Sequence, residues 1–220
     1  MVDALIGVVQ NPWVGMWMSP RETIRRIVDH DPTYHVLTLG ALAGGLAMLD
    51  AALAASVGTP PVVLPGWFIS YLPICALLSP FVGGALGIAA VYLSGLLFLW
   101  AGRALGGVAD AREVRAAAAW AGVPQICFGV AMLAALLGNG VMQALFPSLP
   151  PADPRVAAEA AREFTAGKGV AALVSLWSLV ALVHALAEVH GFSAWRALGA
   201  FIAVLAIFAL LALGFHAAIA

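Results

Sequence analysis

The sequence predicts an all-α protein, a polytopic membrane helical bundle with five transmembrane helices and a short amphipathic N-terminal helix. Its 220 residues are 63% hydrophobic and only 10% charged, with a mean hydropathy of +1.01, whereas soluble domains carry about 25% charged residues. The apolar residues form runs of about 20, the length that crosses the hydrocarbon core as a helix. We therefore expect residues 1–220 to form a single integral membrane domain.

The centre of the chain predicts a membrane hairpin. The apolar run Phe81–Trp100 is followed by the polar turn Gly102–Gly107, and a second apolar run begins after Asp110–Arg115. Backbone groups in lipid must be satisfied within the helix itself, so each run is expected to be helical. Asp110 and Glu113 have the spacing of a capping box at the start of the second run.

An amphipathic helix is expected near the N-terminus. Ser19 is a candidate N-cap, Pro20 follows at the first helical position, and Glu22 is placed to reach back to the cap. Ile24 and Ile27 share one face, while arginines occupy another. Such a helix is suited to lying on the membrane surface.

The remaining runs complete five predicted spans. They begin and end at about Val36–Val57, Phe81–Ala101, Arg115–Leu137, Val170–Val189 and Ala194–Ala218.

Prolines and glycines make some boundaries ambiguous. The segment Trp67–Ser79 could be interfacial, re-entrant or the front of the second helix, and we favour one long kinked element. Pro124 should kink the third span. Pro154 is expected to start a short polar helix that ends before Gly167, and Gly191 is expected to cap the fourth span.

The loop charges predict the orientation. Arginines concentrate on the side of the N-terminus, whereas the opposite loops carry three basic residues that are offset by acidic ones. Under the positive-inside rule, the N-terminus is therefore cytoplasmic and the C-terminus lies on the outer side, in the periplasm of a bacterium.

Several stretches resemble the Yip1 domain family, in its bacterial branch. They are Asn11-Pro12-Trp13, Pro20–Asp29, Trp100–Arg103, Glu113-Val114-Arg115 and Ala187–Leu198. The resemblance implies five membrane helices with a cytosolic N-terminus. Eukaryotic members bind small GTPases of the Rab type and act in vesicle traffic. Membership in the bacterial branch implies an integral protein of the cytoplasmic membrane and no particular biochemical role.

The densest polar group is expected on the cytoplasmic side, where both signs of charge meet at one depth. Paired charges there could lock the helices together, or the group could form a docking surface for a protein or for anionic lipid headgroups. Its members are Arg21, Arg25, Arg26, Asp29, Arg103, Glu113, Arg115, Glu188 and Arg196.

A second candidate site is Asp50, in the outer half of the first span. An ionisable residue inside a membrane is costly and marks a functional site by default. Asn139 and Gln143 are its nearest expected partners in depth. The alternative is a structural role, with Asp50 facing a wet outer mouth or bonded as a neutral acid to a carbonyl.

His184 and Glu188, with His190 just beyond, could contribute to a metal site only if another helix supplied a ligand. A hydrogen bond between His184 and Glu188 across one turn is the simpler expectation. We find no motif for a nucleophile, a phosphate-binding loop or a zinc helix, so no enzyme activity, cofactor or metal is predicted.

The sequence therefore favours a membrane adaptor or organiser that recruits a protein or lipid partner through its cytoplasmic face. The alternative is a small ion or solute transporter or channel that uses Asp50. The lipid bilayer is a certain partner, and small-residue helix faces make a homo-oligomer plausible. The net charge of −1 gives no reason to expect nucleic acid.

Overall fold

The computed structural model describes residues 11–56, 66–145 and 154–219, with side chains described for 11–51, 78–134 and 169–214 apart from 212. Within these ranges the chain is helical, with short turns and no strand, so the predicted all-α class is confirmed there. The helices are α1 (Pro12–Met18), α2 (Pro20–His30), α3 (Val36–Ser56), α4 (Gly66–Ala104), α5 (Ala111–Ala121), α6 (Val123–Leu145), α7 (Pro154–His190) and α8 (Ala194–Ile219).

Four segments of the described chain are long and apolar enough to cross a membrane. They are Leu78–Ala104, Ala111–Ala134, Gly169–His190 and Ala194–Leu211, and the shorter apolar segment Val36–Ala51 lies in α3. These segments match the second to fifth predicted spans, and α3 matches the position of the first.

Helices α3 and α4 approach each other most closely where their glycines meet. A Cβ on Gly44 would lie 2.6 Å from the Cα of Gly87, and a Cβ on Gly87 would overlap the carbonyl oxygen of Gly40. Lipid tails provide no hydrophobic drive between helices, so close backbone contact supplies the attraction. The glycines therefore form a close-packing face on each of these two helices.

Helix α5 lies at the centre of the bundle. It contacts α2, α3, α4 and α7, and Val114, Ala116, Ala117 and Trp120 in it are fully buried. The small alanine side chains let four neighbours approach one short helix. The core of the described part is built around this helix.

The expected kink at Pro124 is a break between two helices. Helix α5 ends at Ala121, and α6 begins at Val123, so Pro124 occupies the first turn of α6. Proline is tolerated in the first turn because the N–H groups there have no intrahelical partner. The turn residue Gly122 donates its N–H to the Ala119 carbonyl at 3.2 Å.

The N-terminal helices pack on protein. Met16 of α1 and Ile24 of α2 are fully buried, and Ile27 is nearly so. The expected position of α2 on the membrane surface was therefore wrong for its apolar face, which covers the ends of α5 and α7. Ser19 and Pro20 hold the predicted N-cap and first helical positions, but Ser19 makes no side-chain capping hydrogen bond.

A tight turn connects α2 to α3. The Asp31 carboxylate accepts hydrogen bonds from the Thr33 hydroxyl at 2.7 Å and the Thr33 N–H at 2.8 Å. These bonds lower the pKa of the Asp31 carboxyl, because they favour its ionised form.

Two helices are longer than a membrane is thick. Helix α4 has 39 residues, so the expectation that Trp67–Ser79 and Phe81–Trp100 form one element is confirmed. Helix α7 has 37 residues and continues through Gly167 and Gly169, so the expected end of a separate polar helix there was wrong. A glycine inside a helix costs only about 1 kcal/mol relative to alanine and does not by itself end it.

The glycine contact between α3 and α4 can be tested by Gly87→Ala. The added methyl group has no space against the α3 backbone, so we expect the free energy of unfolding to fall by about 1–3 kcal/mol. Gly169→Ala is the matched control, because a Cβ there meets open space. It should be neutral or stabilising by up to about 1 kcal/mol. Circular dichroism during unfolding in detergent measures both, and equal stability of the two variants would contradict the packing.

Candidate functional site

The ends of several helices meet at one end of the bundle, which we call the arginine-rich end. It comprises α2, the connection between α4 and α5, and the connection between α7 and α8. Val108 in the first connection donates its N–H to the carbonyl of His190 at 3.3 Å, which joins the two connections.

Both connections begin with the same glycine motif. Gly106 and Gly191 have positive φ angles of 86° and 68°. The residue after each of them, Gly107 or Phe192, donates its N–H to the carbonyl five residues earlier, at 2.8 and 3.1 Å. These are Schellman motifs, which satisfy carbonyls left free at a helix end. The prediction that Gly191 caps α7 is confirmed.

His190 fills the space between the two connections. It is 2% exposed, its ring stacks on Phe192 with centroids 5.0 Å apart, and it lies against Gly102 and Gly107, where any Cβ would collide with the imidazole. His190 is therefore a packing residue of this end.

Glu188 pairs with Arg25, so the expected bond between His184 and Glu188 was wrong. In the described residues, no three His, Cys, Asp or Glu side chains are arranged to hold a metal.

Part of the predicted charged cluster holds the helices together. The Arg25 guanidinium forms an ion pair with Glu188, which connects α2 to α7. Arg26 lies 3.9 Å from Glu22 on the same helix, and Arg103 approaches the Ala109 carbonyl at 3.5 Å.

The predicted cap at the start of α5 is confirmed. The Glu113 carboxylate accepts a hydrogen bond from the Asp110 N–H at 2.8 Å. Glu113 thus has a local role at the helix start, which separates it from the exposed members of the cluster.

Another part of the cluster faces outward. Arg21 and Asp29 on α2 and Arg196 on α8 are exposed. Two tryptophans at the same end are also exposed, Trp100 by 75% and Trp195 by 82%. Tryptophan is enriched at the boundary between membrane and water, so these rings indicate where that boundary lies.

Arg115 is separate from the rest of the predicted cluster. It lies in a groove between α4 and α5, where its guanidinium carbon is 4.6 Å from the centre of the Tyr92 ring. Its Nε donates to the Ala111 carbonyl at 3.0 Å. The sequence placed Arg115 at the same depth as the other arginines, but the fold gives it different neighbours.

The predicted intramembrane site is described only in part. Asp50 is exposed on α3. Asn139 and Gln143 lie on α6, and their side chains are outside the described residues. A contact between Asp50 and either of them stays a prediction.

Sequence reasoning missed one polar contact between membrane helices. Gln125 in α6 donates its amide to the Ser175 hydroxyl of α7 at 2.8 Å. Both residues line a shallow groove that also includes Ser178 and the helix break at Gly122. The signal available in the sequence was a glutamine directly after Pro124 inside an apolar run.

Comparison with known protein families matches residues 14–215 to the Yip1 domain. No curated protein and no solved structure matches the chain. The match covers nearly the whole chain and includes all four candidate spans of the described part up to Leu211. It agrees with the resemblance carried by the motifs at both ends of the chain. This multi-pass, all-helical membrane protein belongs to the Yip1 domain family.

Proposed function

We propose that the chain is an adaptor or organiser of the bacterial cytoplasmic membrane, with five transmembrane helices. Its arginine-rich end faces the cytoplasm and recruits a protein or lipid partner. The observation that carries this proposal is that the charged cluster contains two groups of residues with different surroundings. Arg25 and Glu188 hold α2 in place, while Arg21, Asp29 and Arg196 remain exposed.

The rigid seat of α2 supports a role in recognition. Ile24 is fully buried, Ile27 is 6% exposed, and the helix contacts both α5 and α7. Its outward side chains are therefore carried on a helix that is already held in place, so less entropy is lost when a partner binds than on a mobile segment. A soluble cytoplasmic partner can reach this surface only if the arginine-rich end faces the cytoplasm.

The length of α3 supports a fifth span. Its 21 residues extend about 31 Å at 1.5 Å per residue, which matches a hydrocarbon core of about 30 Å. An odd number of spans places the two termini on opposite sides of the membrane, whereas four spans would place them on the same side.

Topology reporters test this arrangement. We expect a reporter fused after Ala220 to lie in the periplasm and a reporter fused before Met1 to lie in the cytoplasm. The pair of fusions separates five spans from four, because a reporter after Ala220 that is active in the cytoplasm would exclude the proposed count.

Recruitment of a protein can be tested by reversing the exposed charges, with Arg21→Glu and Arg196→Glu combined. We expect the pattern of crosslinked partners in native membranes to lose at least one product. Surface substitutions of this kind change the free energy of unfolding by about 0.5 kcal/mol or less, so the fold should persist. An unchanged crosslinking pattern would argue against this surface.

The ion pair between α2 and α7 provides a matched control. Arg25→Glu breaks the pair, and the double variant Arg25→Glu with Glu188→Arg restores it with reversed charges. If the pair serves only to hold α2, the double variant should recover the wild-type crosslinks. If the partner reads the charge of Arg25 itself, the double variant should remain defective.

Transport is a second candidate, favoured by the helix break in the membrane. Transport sites are often built where helices are interrupted at depth, and here the break at Gly122 adjoins the bonded pair Gln125 and Ser175. Asp50 would supply the ionisable group of this pathway.

A flux assay in liposomes tests the transport candidate. If it is right, purified protein should carry an ion or proton current that Asp50→Asn or Gln125→Ala reduces, whereas Arg196→Gln should leave the current unchanged. Absence of flux under both an ion gradient and a membrane potential would remove this candidate.

A further inference from the structure

The groove around Arg115 lies on the surface of the bundle, between α4 and α5. It has a volume of about 350 Å³ and is lined by Tyr92, Leu93, Gly95, Leu96, Ala111 and Arg115. Leu93 and Leu96 are 52% and 59% exposed, as expected for side chains that face acyl chains. The groove is thus an apolar surface of α4 with one permanent positive charge at its edge.

Close packing holds the stem of Arg115 in the groove. Gly95 makes this possible, because a Cβ at that position would lie 3.4 Å from the Cα of Arg115 and still closer to its side chain. The guanidinium then rests on the Tyr92 ring. A cation over an aromatic face is stabilised in this way, more so when it is removed from water.

The protein satisfies this guanidinium only in part. Of its five N–H donors, Nε is used by the Ala111 carbonyl. Among the residues whose side chains are described, no carboxylate lies within ion-pair distance of Arg115. An arginine in an apolar environment needs a counter-charge, and the bond from Nε to Ala111 leaves the other N–H groups of this guanidinium without a partner among the described residues.

The depth of the groove favours a lipid over a soluble anion. Gly95 precedes the exposed Trp100 by five residues, or about 7.5 Å along α4, on the side of the hydrophobic segment. Arg112 is one turn closer to the start of α5 and is exposed, so a second guanidinium lies toward the water. Residues three apart on a helix are neighbours, and two arginines in this arrangement suit a phosphate group.

We propose that the Arg115–Tyr92 groove binds the phosphate of an anionic phospholipid, with an acyl chain along Leu93 and Leu96. The Arg115 fork supplies charge-assisted hydrogen bonds to the phosphate oxygens, and Arg112 adds charge at the headgroup. The volume, at the lower end of ligand pockets, suits a headgroup and the first part of a chain. This inference names a lipid site within the proposed recruiting function and rests on the same membrane orientation.

The test uses the full chain, purified in detergent and freed of lipid, and titrated with phosphatidylglycerol. Binding is measured by native mass spectrometry. We expect Arg115→Gln to weaken phosphatidylglycerol binding about tenfold, the effect of losing about 1.4 kcal/mol of charge-assisted hydrogen bonding. Arg103→Gln is the matched control, because Arg103 is an exposed arginine outside the lining of the groove. It should change the affinity less than about twofold on the same scale.

Tyr92→Leu provides a second variant if Arg115→Gln impairs folding. It keeps the charge and the apolar lining but removes the aromatic face that positions the guanidinium, so the affinity should fall while the unfolding temperature without lipid stays near the wild-type value. Phosphatidylcholine, which has no net charge, should bind more weakly to the wild type.

Two results would overturn the proposal. One is wild-type affinity for phosphatidylglycerol in both Arg115→Gln and Tyr92→Leu. The other is an equal loss in Arg103→Gln, which would indicate diffuse attraction to all the arginines. Lipid binding is measured independently of protein recruitment. The charge reversals at Arg21 and Arg196 could leave the crosslinked partners unchanged, which would contradict protein recruitment, while phosphatidylglycerol still binds to the groove. Equally, the crosslinks could be lost as expected while the groove binds no lipid.

Discussion

The structure depends on the small side chains of helix α5, which allow four other helices to pack around it. Hydrocarbon is as apolar as leucine, so helices in a membrane gain from close contact and hydrogen bonds and gain little from burying apolar surface. The alanines of α5 let α2, α3, α4 and α7 contact one short helix, and Trp120 fills the remaining space with its N–H bonded to the Tyr34 carbonyl at 3.1 Å. A larger side chain at Ala116 or Ala117 would separate these neighbours, because both are fully buried.

The same need for close contact shapes the arginine-rich end. Two Schellman motifs end α4 and α7, and His190 occupies the space that Gly102 and Gly107 leave open. Glycine therefore has two roles here, as a residue that adopts positive φ at Gly106 and Gly191 and as a surface without side chains. Because the connections are bonded to each other, the ends of four helices form one fixed platform for α2. The exposed charges of that helix are consequently held in place by apolar contacts made on its other side.

Local patterns predicted much of this fold, and long-range contacts limited the rest. The spans, the Asp110–Glu113 cap and the end of α7 at Gly191 follow from apolar run length and from chemistry within a few residues. The amphipathic pattern of α2 indicated that the helix has an apolar face, but it could not indicate whether lipid or protein contacts that face. In the structure, the apolar face contacts α5 and α7. Glycines at 167 and 169 suggested a helix end, but both lie inside the continuous helix α7. For the candidate site, the positions of the charged residues in the sequence placed Arg25 and Glu188 in one cluster, but they could not predict that these two residues form an ion pair.

Arg115 illustrates why depth alone does not define a site. It shares its helix and its charge with Arg112, yet one turn of helix moves it from the exposed end to the Tyr92 ring in a groove lined by leucines. The free energy needed to place a charged arginine is small at the boundary with water and much larger inside hydrocarbon. A counter-charge therefore stabilises Arg115 more than it stabilises Arg112. The fold thus separates two kinds of arginine. Arg21 on α2 and Arg196 on α8 are exposed at the arginine-rich end. Arg115 instead lies beside exposed leucines in the groove, and the lipid phosphate proposed for that groove would supply its counter-charge.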